Sequence, residues 1–100
     1  MSRRRCRTDA NHAALLQAHR DEGWQMISTH WAGQFVAGFP DAIGVHPISR
    51  QIVFFEFKDG DGKLDPDQVD FHAAFTGPIE TERTEDDVRA NTNKYMGRLA

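Results

Sequence analysis

Gln51-Ile52-Val53-Phe54-Phe55-Glu56-Phe57-Lys58 is the segment on which the fold turns. Ile, Val and Phe favour a pleated, buried surface, so the segment predicts a strand. A nearly continuous apolar run of this kind suits a central strand covered on both faces. Successive side chains on a strand alternate, so Glu56 and Lys58 project together while Phe57 turns into the core. Charges on such a strand are costly unless they are partnered or used.

Upstream, Gly38-Phe39-Pro40-Asp41 precedes a second strand expected over 41–45, and His46 to Arg50 form the turn between the two. Asp41 on the strand beside Glu56 would bring two carboxylates and one ammonium to one place. Such a set can hold a hard divalent cation next to a phosphate. Asp41 could instead cap a turn after Pro40, and Glu56 and Lys58 could be a solvated pair of little energetic value.

The rest of the chain builds around this pair of strands. A helix is predicted over 10–22, capped by Thr8 or Asp9, with Ala13, Leu15, Leu16 and Ala18 on its apolar face and Gly23 as its stop. A short strand is expected over 24–29, followed by a loop over 30–38. Beyond the polar loop 59–63, Asp65 is a good N-cap, Pro66 fits the first helical position, and Gln68 completes a capping box. Val69, His72, Ala73 and Phe75 are the expected buried side of that helix. Gly77-Pro78 stops it, 79–83 reads as an edge strand, and Thr84 caps a last helix with Glu85, Asp86 and Asp87 in its first turn. The order is α-β-β-β-α-β-α, an α/β (α+β) fold with a small mixed sheet flanked by helices.

A chain of 100 residues makes one domain. Residues 1–7 read as a basic tail, 8–90 as the domain, and 91–100 as a helix end or tail. At this length about 60–70% of the unfolded surface can be buried, enough for one modest core. No apolar run approaches the ~18 residues of a membrane span, and no apolar stretch follows Arg3, Arg4, Arg5 and Arg7 as a signal peptide would require. A cytoplasmic protein is expected. The lone Cys6 excludes an intramolecular disulfide and a multi-cysteine zinc site. Five histidines lie without metal-site spacing. His12 and His19 share a helix face, where a satisfied surface or core role is expected. The net charge of −3 argues against coating nucleic acid through bulk charge, although the arginine cluster could reach for phosphates.

Taken in order, Pro40-Asp41 and Glu56-Phe57-Lys58 resemble the signature of the PD-(D/E)XK nuclease superfamily, whose core has the order αβββαβ. The pattern is similar to the VRR-Nuc branch and its small phage-type relatives. There Gly-x-Pro-Asp is followed by an apolar strand ending Glu-x-Lys, a Gly/Lys-rich loop, and Leu-x-x-x-Gln opening a helix. This chain has Gly38-Phe39-Pro40-Asp41, Val53 to Lys58, Gly60-Asp61-Gly62-Lys63, and Leu64-Asp65-Pro66-Asp67-Gln68. Asp9-Ala10-Asn11, Gly23 and Trp24 add to the likeness, which spans about residues 8–88. One departure stands out. Many members carry a Glu on the first helix, about eleven residues before its terminal Gly; that position falls at His12, with Asn11 beside it.

The resemblance implies a restriction-endonuclease-like fold and a metal-dependent DNA endonuclease. Asp41, Glu56 and the backbone carbonyl of Phe57 would ligate Mg²⁺ or Mn²⁺, and Lys58 would steady the attacking hydroxide and the phosphate charge. Gln68 would lie near the site, although capping alone explains it. Asn11 could ligate the metal through its amide oxygen, hold a metal-bound water, or take no part. His30, Trp31 and Gln34 could touch nucleic acid, with packing the expected role of Trp31. No recognition helix or zinc finger is visible. The implied substrate is structured DNA, a junction or flap, in a bacterial or phage-infected host cell. Cutting two strands symmetrically calls for a homodimer. Two other readings stand beside this one: a weak or inactive nuclease-fold module that binds DNA or a partner, and a small α/β protein with no nucleic-acid role.

Overall fold

The structure, a computed structural model, describes residues 10–97. The basic tail, Cys6 and the helix cap expected at Thr8 or Asp9 lie outside the described residues. The elements are α1 (Ala10–Asp21), β1 (Gln25–Ser28), a 3₁₀ helix (His30–Gln34), β2 (Ala42–Val45), β3 (Ile52–Phe57), α2 (Pro66–Ala74), β4 (Ile79–Glu82) and α3 (Glu85–Lys94). The sheet runs β1-β2-β3-β4, antiparallel at the first two junctions and parallel at the third. The predicted order and the small mixed sheet flanked by helices are both present. The expected loop over 30–38 differs, because its first half winds into the 3₁₀ helix.

One sheet face carries the core. Met26, Ala42, Val53, Phe55 and Phe57 pack against Leu15 and Leu16 of α1 and Val88 of α3, with Trp24 joining them. Cross-strand register explains the set, since Ala42 faces Phe55 and both lie on one side of the pleat. The buried face of α1 is His12, Leu15, Leu16 and His19, whereas Ala13 is exposed. His19 takes the core position expected, but only half satisfied: its Nε2 lies 2.7 Å from Glu82 Oε1, while its buried Nδ1 has no hydrogen-bond partner. Asn91 Nδ2 donates to Glu82 Oε2 at 2.8 Å. This pair ties α3 down, so residues 91–94 belong to a helix end rather than a tail.

The opposite face is covered only in part, which corrects two expectations. Strand β3 is not sealed on both sides, for Ile52 is half exposed and Ile27, on the same open face, is 62% exposed. Nor does α2 fully bury the residues expected, although His72 and Phe75 are partly covered. None of its residues is buried, Val69 is half exposed, and Ala73 is exposed. The helix instead leans on Phe54 through an aromatic cluster. Phe75 meets Phe54 edge-on at 4.7 Å and stacks on Phe71, which in turn reaches Phe39. A short helix docked through rings at one end leaves a shallow space beneath its first turn.

That first turn is held locally. Asp65 Oδ1 accepts from Gln68 N and Gln68 Oε1 accepts from Asp65 N, both at 2.9 Å. Gly38 lets the upstream loop approach it. Its φ is +78°, and a Cβ there would lie 2.2 Å from the Asp67 carbonyl oxygen. No other residue type tolerates both the left-handed backbone and that contact.

Candidate active site

Asp41 immediately precedes β2 and is fixed through its backbone. Its N–H donates to Phe55 O at 2.9 Å, and its carbonyl accepts from Thr29 N at 2.7 Å. Thr29 Oγ1 donates to Pro40 O at 2.8 Å. The carboxylate turns toward β3, where Oδ2 accepts from Phe57 N at 2.8 Å. The register pairs Ala42 with Phe55, which places Asp41 beside Glu56 on the face toward α2.

Glu56 is the centre of the arrangement. It is 1% exposed, an extreme position for a carboxyl group. Oε2 accepts from Gln68 Nε2 at 2.9 Å. Oε1 lies 3.5 Å from His72 Nε2, and neither atom has a hydrogen-bond partner. Burial pushes the Glu56 pKa up from 4.5 to about 9, and the Asp41 charge adds to the rise, while Lys58 opposes it. Two adjacent carboxyl groups in a poorly solvated place cannot both ionise cheaply. At neutral pH the metal-free site therefore carries a proton on Glu56. Burial, with the charge of Lys58 behind it, holds the His72 pKa below its ordinary value, so its imidazole is neutral there.

Gln68 both caps α2 and contacts Glu56. Its carbonyl oxygen closes the capping box while its amide nitrogen holds Glu56. The helix start and the site are thus one construction. Lys58 follows β3. Its N–H donates to Glu82 O at 3.0 Å, and its carbonyl accepts from Asn11 Nδ2 at 2.6 Å. Asn11 also reaches Arg83 O at 3.4 Å. Its amide nitrogen thus braces the ends of β3 and β4 and orients the strand bearing Lys58.

Three histidines also border the site: His72, expected only on the buried side of α2, His12, expected in a surface or core role, and His30, a candidate nucleic-acid contact. His72 follows Gln68 by one helical turn, so the two share a face of α2, a spacing visible in the sequence. His12 projects from α1, edge-on to Phe57 at 5.1 Å and to His30 at 5.5 Å. It occupies the position where the resembled family carries its helix Glu, which was the one available signal. His30 opens the 3₁₀ helix, and its Nδ1 lies 3.8 Å from Asp41 Oδ1. Its place in the loop before Asp41 marks it as a candidate nucleic-acid contact in the sequence, but no spacing there announces its approach to Asp41.

An open cleft of about 630 Å³ borders this group, with His30, Gln34, Asp41, Asp65 and Gln68 in its walls. Trp31 departs from its expected packing role. It is 58% exposed, with its indole N–H donating to Ser28 O, and Phe35 is also exposed nearby in the chain. Among the described residues no helix is long and apolar enough to cross a membrane. Comparison with family models, curated proteins and solved structures finds no match for this chain.

Proposed function

We propose that this protein is a metal-dependent DNA endonuclease of the PD-(D/E)XK type, acting on branched or otherwise structured DNA. The observation that carries the reading is the convergence of Asp41, Glu56 and Gln68, with the charge of Lys58 felt at the same carboxyl group. A buried carboxyl held protonated beside a second carboxylate is expensive to maintain for structure alone. A divalent cation in place of that proton relieves the crowding and gives the orphaned Glu56 Oε1 a partner.

The residues fit such an ion. Asp41 and Glu56 offer side-chain oxygens, and the Phe57 carbonyl is the third ligand implied by the family resemblance. When bound, Mg²⁺ or Mn²⁺ supplies charge neutralisation at a phosphate and acidifies water. Lys58 would place a positive charge where charge builds on phosphate oxygens. Gln68 holds the Glu56 carboxyl in one orientation. Trp31 and Phe35 offer exposed rings on which unstacked bases can rest, a mode suited to branched or single-stranded DNA. A homodimer would set two sites against two strands, and the half-open sheet face with Ile27 and Ile52 provides apolar surface for it.

The test is cleavage of labelled four-way junction, flap, single-stranded and duplex DNA with Mg²⁺, Mn²⁺ or EDTA. Metal-dependent cutting of a branched substrate, lost in Glu56→Ala and Lys58→Ala, is the expected result. Binding without cleavage in every metal would favour the alternative, a nuclease-fold module that binds DNA or a partner. That second reading draws on one observation: α1 brings no carboxylate to the site, and the Asn11 amide nitrogen is engaged by backbone carbonyls.

A further inference from the structure

We propose that His12, His30 and Asp41 form a mixed nitrogen–oxygen site that selects a borderline transition ion such as Co²⁺ or Zn²⁺ over Mg²⁺. The inference goes beyond the nuclease reading and stands whether or not the protein cuts DNA.

The three side chains come from separate elements: α1, the 3₁₀ helix and the residue preceding β2. One ligand atom of each lies within 4.8 Å of the other two. Ligands of a common ion at ~2.0–2.2 Å stand roughly 3–3.5 Å apart, so small side-chain rotations close the site. The 3.8 Å between His30 Nδ1 and Asp41 Oδ1 is too long for a hydrogen bond and only a few tenths of an ångström beyond the separation of two ligands of one ion.

The surroundings hold the donors in place. Asp41 Oδ2 is engaged by Phe57 N–H, while Oδ1 is the oxygen nearer His30. His12 is buried, its ring set edge-on against Phe57, and Ser28 Oγ lies 3.4 Å from its Nε2. Outer partners of this kind orient metal ligands. The donor set decides selectivity. Mg²⁺ requires oxygen donors and sheds water reluctantly, whereas imidazole suits the later first-row ions. Two imidazoles and one carboxylate therefore discriminate against Mg²⁺ by chemistry rather than by size.

The experiment is a Co²⁺ titration of the EDTA-treated full-length protein, followed by visible absorption, then challenged with a large excess of Mg²⁺. No DNA is present, so its failure is separable from failure of the nuclease reading. Wild type should bind one Co²⁺ per chain with visible bands that Mg²⁺ does not remove. His30→Ala lies at a partly exposed position and should stay folded by circular dichroism while losing affinity by about tenfold or more. Glu56→Gln should keep the Co²⁺ bands. Absence of Co²⁺ bands in wild type would overturn the proposal. So would Co²⁺ binding that Mg²⁺ displaces, that His30→Ala leaves unchanged, or that Glu56→Gln abolishes, since the cation would then be held by the carboxylates alone.

Discussion

Replacing Glu56 with Gln should stabilise the metal-free protein at neutral pH. Gln imitates the protonated acid: it keeps a carbonyl to accept from Gln68 and an N–H in place of the acid proton. The folded pKa of Glu56 is raised, from 4.5 to about 9. Below pH 4.5 the carboxyl is protonated in both states and costs nothing. Above it the unfolded chain ionises while the fold does not, so stability falls steadily up to pH 9. At pH 7 the gap from 4.5 is 2.5 pH units, and at about 1.4 kcal/mol per unit the loss is about 3–4 kcal/mol. The same arithmetic leaves under about 1 kcal/mol at pH 5 and about 5 kcal/mol at pH 8. Against a total of ~5–15 kcal/mol for a natural domain, such a change is large. Urea unfolding of wild type and Glu56→Gln in EDTA at these three pH values measures it. The variant should gain most at pH 8 and almost nothing at pH 5. Added divalent cation should then narrow the difference by stabilising wild type more. Equal stability at pH 7 with parallel pH profiles would refute the reasoning, because it would mean that Glu56 ionises in the fold as it does in the unfolded chain.

Metal-dependent activity should climb about tenfold per pH unit below pH 9 and level off above it, since the cation must displace the Glu56 proton; a flat profile between pH 6 and 8 would contradict this. Gly38→Ala should cost about 1–3 kcal/mol by thermal melting and also impair cation binding, because a Cβ 2.2 Å from Asp67 O forces the Asp41 loop away from α2. Gln68→Ala should cost about 1–3 kcal/mol through the lost cap and the buried Glu56 contact; amide exchange should show the first turn of α2 opening, while a variant that kept its protection would argue against the shared role.

Much of the fold was legible because its signals are local. The run from Ile52 to Phe57 carries its strand preference in its own side chains. Asp65, Pro66 and Gln68 fall within one helical turn, so their capping box can be read without knowing what surrounds it. Period two alone puts Glu56 and Lys58 on one face, and Asp41 needed only the added guess that neighbouring strands pair. The buried side of α2 is only half legible, because its apolar residues do not specify a partner. Phe54 supplies that partner across the sheet; it draws in the expected Phe75 together with Phe71, and leaves Val69 and Ala73 exposed.

The sequence by itself determined the order of elements, the alternation along β3 and the caps of α2 and α3, all set by interactions between residues a few positions apart. Only the tertiary structure decided which distant groups meet. His12, His30 and Asp41 are separated along the chain and joined by no periodicity, and they converge because α1, the 3₁₀ helix and the entry to β2 reach one end of the sheet. The protonated state of Glu56 belongs to the same level. A carboxyl group keeps its ordinary pKa until packing removes its water and sets another carboxylate beside it.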